Sequence, residues 1–383
     1  MAAISPSDEP RPKFWDKWRA RYLDLVGTAA FQSWAARSLF TRGTAKRDGE
    51  RLFDLVAGFT YSQILQAFVA LDLQRHLRAR PAYPSELAAK IDAPERRISV
   101  LCQAAASLGL LTRLRDGRYA LARLGAAING VGGLRDMILH HDILYRDLGP
   151  AEGFFRGETD PDLARFWPYV FGAAAAEDPA TAERYSHLMS ETQNLVSDEI
   201  LSSLSFGKAQ HVMDIGGGTG VFLAACAKAH PDVQVTLFDL PQVAALAQDR
   251  FERAGIAARA TIVSGSFRDD PLPLGPDLIT LIRVLYDHED ETVLRLLKSV
   301  HAALPEGGKI VIAEPMSGGE APDRSADAYF ALYCMAMGTG TVRSAAQIGE
   351  LLSKAGFARV SPVKTGRPFV TRIVTAEKTV NKS

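Results

Sequence analysis

Asp214-Ile215-Gly216-Gly217-Gly218-Thr219-Gly220 concentrates more potential chemistry than any other stretch of the chain. It continues an apolar run from Val212 and leads at once into a helix-forming run, Val221 to Ala229. A second apolar run, Val235 to Phe238, closes on Asp239, 23 residues beyond Gly216. A glycine turn after one strand, with an acid ending the next, is the layout of a nucleoside site in an α/β sheet. Glycines let a ligand lie against the main chain. The amides at the helix start favour an anionic group, here a carboxylate. Asp239 can accept hydrogen bonds from both ribose hydroxyls. The glycines run Gly216-x-Gly218-x-Gly220, one residue tighter than the G-x-G-x-x-G fingerprint of dinucleotide sites. An NAD enzyme is therefore an alternative reading and not the first one. An ordinary βα turn is a weaker alternative, because the acid-ended strand lies at the expected distance.

The elements that must hold these residues alternate. Strands are expected at His211–Ile215, Val235–Asp239, Ala260–Val263, Asp277–Leu285 and Lys309–Glu314, with helices between them. Such alternation predicts a parallel sheet covered on both faces. A helix at Ala345–Ala355 and a hairpin of Val360–Lys364 with Phe369–Ala376 should finish the sheet. The front half reads as mainly helical. Leu52 to Leu73 is one long apolar segment, Ser85 to Ile91 and Glu95 to Leu108 are two more helices, and Leu110 to Leu121 turns back at Asp116-Gly117. That is a winged-helix pattern. The second helix offers Arg96 and Arg97 but no further basic row, so a structural or dimerising use is expected and no nucleic-acid partner. A helical stretch from Pro161 to Ser205 joins the halves. The expected division is a basic aromatic segment over 1–50, a helical winged-helix-like dimerisation and substrate domain over 51–190, and the nucleoside-binding domain over 191–383.

Composition is that of ordinary globular proteins, with 47% apolar residues, 23% charged residues and zero formal net charge. A neutral chain has no general attraction for nucleic acid. No uninterrupted apolar run approaches the ~20 residues that span a bilayer, and the N-terminus lacks a secretory core. Cys102, Cys226 and Cys334 lie far apart, which argues against disulfides or zinc. A cytoplasmic protein is expected. Residues 11–47 are the exception to the neutral average, with nine Lys/Arg, two Asp, and three of the four tryptophans, Trp15, Trp18 and Trp34. A basic helix with aromatic anchors suits a membrane interface, and equally the surface of a partner subunit.

The Asp-Ile-Gly-Gly-Gly-Thr-Gly form resembles the first motif of S-adenosylmethionine-dependent methyltransferases. With the winged-helix front half, the order of modules resembles the caffeate-type O-methyltransferases over roughly Leu52 to Glu377. More narrowly, several blocks are similar to the carotenoid O-methyltransferases of purple phototrophic bacteria, which methylate hydroxyneurosporene and demethylspheroidene. These blocks are His140-His141-Asp142 through Gly157, Arg165-Phe166-Trp167-Pro168-Tyr169, Gly265-Ser266-Phe267 through Pro271, Arg283-Val284-Leu285-Tyr286-Asp287-His288, Glu314-Pro315-Met316 through Gly319, and Met335 through Gly340. The resemblance implies a class I methyltransferase fold, with a Rossmann-like doubly wound sheet and an N-terminal mainly helical dimerisation domain. It further implies S-adenosylmethionine as cofactor with no metal, a homodimer, and a lipophilic carotenoid acceptor. Residues 11–47 would then touch the photosynthetic membrane from the cytoplasmic side. The alternatives are a bacteriochlorophyll-pathway methyltransferase and, from another class, a cofactor-binding regulator without catalysis.

By the resemblance, Gly216, Gly218, Asp239 and Leu240 hold the cofactor, Ser266 and Phe267 flank the adenine, and Asp214 and Arg283 complete the set. Where relatives bond the adenine amine with an acid, this chain has Ser266. Where the plant relatives have a catalytic histidine and its supporting glutamate, this chain has Tyr286 and Val342. Tyrosine, with a reference pKa near ~10, is a poor base at neutral pH. The expectation is that Tyr286 orients the acceptor hydroxyl and that His288 or water receives the proton, positioning mattering more than base strength. His288 could instead be a solvated residue opening the acidic helix at Glu289-Asp290-Glu291. Candidate walls of the acceptor pocket are Phe166, Trp167, Tyr169, Met189, Tyr333, Met335 and Met337, aromatic and thioether side chains that suit a long apolar ligand and equally a core. His140 and His141 are expected to pack or to rim the pocket, since neighbours on a helix point apart.

Overall fold

The computed structural model describes residues 14–166, 179–206 and 208–379, with the backbone path alone for residues 14, 166 and 179–189. The strands are β1 (Leu111–Arg113), β2 (Tyr119–Leu121), β3 (His211–Ile215), β4 (Gln234–Asp239), β5 (Ala260–Ser264), β6 (Leu278–Ile282), β7 (Lys309–Glu314), β8 (Phe357–Val363) and β9 (Arg372–Lys378). Seven of them form one sheet in the order β5-β4-β3-β6-β7-β9-β8. All neighbours in it are parallel except that β9 runs antiparallel to β7 and β8. The central strands are mostly apolar because both sheet faces are covered, with Asp214, Thr236 and Thr280 as buried polar exceptions. All five residues of β6 are buried. One face packs on the helices Asp290–Ala303 and Ala345–Lys354 through Val293, Leu296, Leu297, Ile348 and Leu352. The other packs on helix Val221–Ala229 through Phe222, Leu223 and Cys226, with Phe206 and Phe251 closing that layer. Each buried Phe or Leu contributes about 1.5–3 kcal/mol. The strand order reverses between β3 and β6, which opens a crevice outside their carboxyl ends.

The expected strand Asp277–Leu285 stops at Ile282. Arg283 adopts a left-handed backbone (φ 59°), and Leu285–Asp287 coils into a 3-10 turn. The apolar pattern continues past the strand because this turn is buried, not because it is extended.

The front half holds the expected winged-helix elements. Helices Pro84–Ile91 and Glu95–Ser107 precede the β1–β2 hairpin, and Ile98, Cys102 and Ala105 face a core with Leu73, Leu87 and Tyr119. Glu86 caps the first of these helices by accepting from the Tyr83 amide at 2.7 Å. Among the described residues four helices precede the module: α1 (Phe14–Val26), α2 (Ala29–Arg37), α3 (Arg42–Ala70) and the short α4 (Leu73–His76). The apolar segment expected from Leu52 is thus the C-terminal part of a longer helix. By length and composition alone α3 could cross a membrane. Its residues Leu52, Phe53, Leu55, Val56 and Phe59 are exposed in the single chain, as are Trp15, Trp18, Tyr22, Trp34 and Phe40 on the preceding segment. The helix expected over Pro161–Ser205 comprises Leu163–Phe166 and Pro179–Ser203, with residues 167–178 outside the described part. Helix Leu134–Leu148 joins the halves. Its Leu144 packs with Phe154, Leu163, Tyr333 and Met337.

Candidate active site

The glycine loop leaves β3 at the sheet's crevice. Gly216, Gly218 and Gly220 all have positive φ, between 62° and 74°. A side chain at Gly216 would strike Val284, one at Gly217 would strike Asp214 and Leu237, and one at Gly220 would strike Phe251 at 2.6 Å. Gly218 differs, because a Cβ there would meet nothing within 4 Å. It faces open space, the side on which a ligand would lie. No side chain caps the helix that begins at Val221. Arg250 braces the loop from behind, donating to the Thr219 carbonyl at 2.9 Å and to Ser190 Oγ at 2.7 Å.

Two carboxylates flank the loop. Asp239 accepts from the Gly218 amide at 2.6 Å and from the Leu240 amide at 2.7 Å. Burial pushes its pKa up to about 6 despite those two donors. A carboxylate has about four acceptor positions, so capacity remains for two hydroxyls. Asp214 is 1% exposed, and its Oδ1 accepts from Thr280 Oγ1 at 2.5 Å. Its Oδ2 has no partner, and burial raises its pKa to about 7. A positive-φ glycine loop, an open helix start, an acceptor pair on Asp239 and an unmatched buried carboxylate oxygen together fit a nucleoside carrying an amino acid tail.

The expected adenine residues lie at the end of β5. Gly265 must lack a side chain, since a Cβ would meet the Phe238 ring at 2.8 Å. Ser266 Oγ donates to Asp269 at 2.9 Å, so its hydroxyl proton is committed locally. Phe267 meets the His288 ring edge-on at 5.4 Å.

The loop after β6 carries Tyr286 and His288, and its shape comes from two residues that sequence reasoning left aside or gave no role. Glu314, fully buried at the end of β7, accepts from the Leu285 and Tyr286 amides at 3.0 and 3.2 Å. Arg343, 1% exposed, donates to the carbonyls of Leu285 (2.9 Å), Thr341 (3.2 Å) and His288 (2.8 Å) and pairs with Asp290 at 2.6 Å. It directly follows Val342 in the sequence. The loop is therefore held by a buried guanidinium as well as a carboxylate. Burial raises the pKa of Glu314 to about 7 and that of Asp287 to about 8, the latter against the pull of Arg283.

His288 is not a solvated loop residue, being 8% exposed. Its Nδ1 lies 3.1 Å from an Arg268 guanidinium nitrogen, a donor, so the neutral ring carries its proton on Nε2. Burial, then the charges of Arg268 and Arg343, push its pKa down to about 4. Both findings count against the proton-accepting role expected of it.

Arg283 donates to Thr192 Oγ1 at 3.0 Å, tying the crevice to helix Pro179–Ser203. Tyr333 and Met337 are buried against Leu144, Phe154 and Leu163, and Met335 is exposed. Trp167 and Tyr169 lie outside the described residues, as do the side chains of Phe166 and Met189. His140 and His141 do more than pack. His140 Nε2 lies 2.7 Å from Tyr333 Oη, and His141 Nε2 lies 2.6 Å from Tyr329 Oη. Among the described residues no cluster of three or more His, Cys, Asp or Glu is placed to hold a metal.

Residues 145–358 match the O-methyltransferase domain, and residues 53–128 match the O-methyltransferase dimerisation domain. The chain belongs to the O-methyltransferase family. This methyltransferase is 50% identical over 352 residues to the demethylspheroidene O-methyltransferase of Cereibacter sphaeroides, covering 92% of this chain and 93% of that one. It is 49% identical over 334 residues to the protein of the same name from Rhodobacter capsulatus, covering 87% and 83%. Its fold matches human N-acetylserotonin methyltransferase, crystallised with S-adenosylmethionine, at a TM-score of 0.74 and 24% identity, over 87% of this chain and 98% of that one. The enzyme is an S-adenosylmethionine-dependent O-methyltransferase of class I fold with an N-terminal helical dimerisation domain.

Proposed function

We propose that this enzyme methylates the tertiary hydroxyl of an acyclic hydroxycarotenoid. The single observation that carries the reading is the 50% identity, over 92% of the chain, to a demethylspheroidene O-methyltransferase. The site supports it. A tertiary alcohol is too weak an acid for any side chain to ionise beforehand, and Tyr286 and Val342 stand where the plant relatives carry a base and its glutamate. Such a site works by positioning.

In this reading Asp214, Gly216, Gly218, Asp239, Leu240, Ser266, Phe267 and Arg283 would hold the cofactor, whose sulfonium supplies the methyl group. Tyr286, fixed by Glu314 and by the Thr341 amide on its carbonyl, orients the acceptor hydroxyl. His288, neutral and held by Arg268, shapes the wall beside it. Phe166, Trp167, Met189, Tyr333 and Met337 would line the path of the polyene. The exposed apolar row on α3 lies within and beside the dimerisation match, and pairing with a second subunit would cover it. The Trp15–Trp18–Tyr22 segment with Lys17, Arg19 and Arg21 would then rest on the membrane that dissolves the acceptor, on its cytoplasmic side.

The test offers labelled cofactor to the purified protein with hydroxycarotenoid, bacteriochlorophyllide and catechol in parallel. Label in the carotenoid is expected; label in the tetrapyrrole alone would replace this reading. Co-sedimentation with anionic liposomes tests the membrane contact. Removal of residues 1–40 should weaken it, and unchanged sedimentation would remove the idea.

A further inference from the structure

Among the described residues, Tyr286 would orient the acceptor, but His288 is not set to take its proton, because its lone pair faces Arg268. A candidate pair lies where helix Leu134–Leu148 meets the segment Arg324–Phe330. Helix Leu134–Leu148 presents His141, and its Nε2 meets Tyr329 Oη at 2.6 Å with the rings edge-on at 5.5 Å. The neighbouring pair, His140 and Tyr333, is the less suitable one, since Tyr333 is only 7% exposed and sits in the helical core. Tyr329 is half-buried. Its hydroxyl also lies 3.9 Å from Met137 Sδ, a weaker acceptor than an imidazole nitrogen, so with His141 protonated on Nδ1 the phenol donates to Nε2.

Two further observations single out Tyr329. First, burial pushes the Tyr329 phenol well up, so it stays a neutral hydroxyl, and the charge of Arg283 is near enough to offset part of that rise. Arg283 directly follows β6, and its neighbour Val284 abuts Gly216 of the glycine loop. Second, Tyr329 rides on a π-helical segment, Arg324–Phe330, in which the Ala331 amide donates to the Ala326 carbonyl five residues back. Such wide turns are uncommon and recur at functional sites. Here the turn is pinned at its start, where Asp323 accepts from the Ser325 and Ala326 amides at 3.0 Å each and pairs with Arg372 at 3.1 Å. Burial keeps the His141 ring neutral, below the usual histidine range, so its lone pair is present at neutral pH.

We propose that Tyr329 is a catalytic residue that takes the acceptor's hydroxyl proton and that His141 is the positioning residue that receives the phenol's own. As the acceptor oxygen bonds to the methyl carbon, the sulfur–carbon bond breaks and its electron pair stays on sulfur. The hydroxyl proton passes to Tyr329 Oη, the phenolic proton passes to His141 Nε2, and the imidazolium discharges to water. A weakly basic ring suffices, because an oxygen that already carries the methyl group gives up its proton readily. Placement of the lone pair then matters more than its basicity.

This inference rests on the proposed methylation of a hydroxyl, and the experiment separates the two. Full-length wild type, Tyr329→Phe, His141→Gln and the double variant are assayed with a tertiary hydroxycarotenoid and with a phenol. Affinity for demethylated cofactor is measured by calorimetry, and the His141 ring is followed by NMR in the ligand-free protein. Tyr329→Phe should lower kcat by about 100-fold with acceptor KM and cofactor affinity within about twofold. His141→Gln, which keeps a hydrogen bond to the phenol but cannot relay a proton, should lower kcat nearly as far, and the double variant no further. In wild type the ring should titrate below the ordinary histidine range. Tyr329→Phe at full kcat, His141→Gln at full kcat, or loss of cofactor affinity in step with activity would each overturn the relay. Wild-type transfer to the phenol but not to the carotenoid would overturn the substrate reading instead, with the relay then judged on the phenol.

Discussion

Asp239→Asn is the sharpest perturbation of the cofactor site. Its two oxygens already accept from the Gly218 and Leu240 amides at 2.6 and 2.7 Å. An asparagine replaces one acceptor oxygen with a donor, so one of these amides must face an N–H group. The charge that would bind the ribose hydroxyls is lost as well. Hydrogen bonds to a charged group are worth about 1.5–3 kcal/mol each. Losing one or two of them, about 1.5–6 kcal/mol in all, lowers affinity by roughly 10- to 20,000-fold, at about 1.4 kcal/mol per decade. The pH dependence gives an internal control. The accepting form is the ionised one, and burial sets the free carboxyl's pKa at about 6. Wild-type affinity for demethylated cofactor should be highest near pH 8 and fall as pH drops through 7 and then 6, where Asp214 and Asp239 take up protons. In Asp239→Asn that part of the fall should vanish, any remainder belonging to Asp214. Calorimetry at pH 5.5, 6.5 and 8 reads both effects. Equal affinity of variant and wild type at pH 8, or a wild-type affinity that rises on acidification, would refute the assignment.

Gly218→Ala and Gly220→Ala should fail in opposite ways. Both residues have positive φ, but only Gly220 would clash, with Phe251 at 2.6 Å. Gly220→Ala should lower the thermal midpoint, at a cost of about 1–3 kcal/mol, whereas Gly218→Ala should mainly lose cofactor affinity; calorimetry with thermal melts separates them. Glu314→Gln should flatten the pH dependence of stability. A carboxyl whose folded pKa stands at about 7, above its ordinary value of 4.5, stabilises the fold below pH 4.5, and that contribution is lost as pH rises through 7. Wild type should therefore weaken between pH 5 and 8 by up to about 3 kcal/mol more than the variant, as read by denaturant titration; an equal loss in both would contradict the burial argument. His288→Ala should keep kcat within about tenfold, where loss of a true general base costs roughly 100-fold or more.

The sequence disclosed the sheet and the cofactor loop because both are written in local pattern. Strands covered on two faces are near-continuous apolar runs, as in Leu278–Ile282 with its single Thr280, and a glycine turn with an acid on the next strand is a short-range signal. The pattern misled where burial outlasted the strand. Val284, Leu285 and Tyr286 are buried, yet Arg283 at φ 59° has already turned the chain. The rest of the site was not legible, because its partners are distant in sequence. Arg343 reaches the Leu285 carbonyl across 58 residues, and His141 reaches Tyr329 across 188. No spacing rule joins such residues. Adjacent histidines on a helix looked like packing until two tyrosines from the other half were set opposite them.

The most direct measurement is transfer of a tritiated methyl group from S-adenosylmethionine to a purified acyclic hydroxycarotenoid, with the product's ether confirmed by mass. The account predicts one methyl per tertiary hydroxyl, dependent on Asp239. An enzyme that binds the cofactor with Asp239 intact yet leaves that hydroxyl unlabelled, while labelling a tetrapyrrole or a catechol, would contradict it.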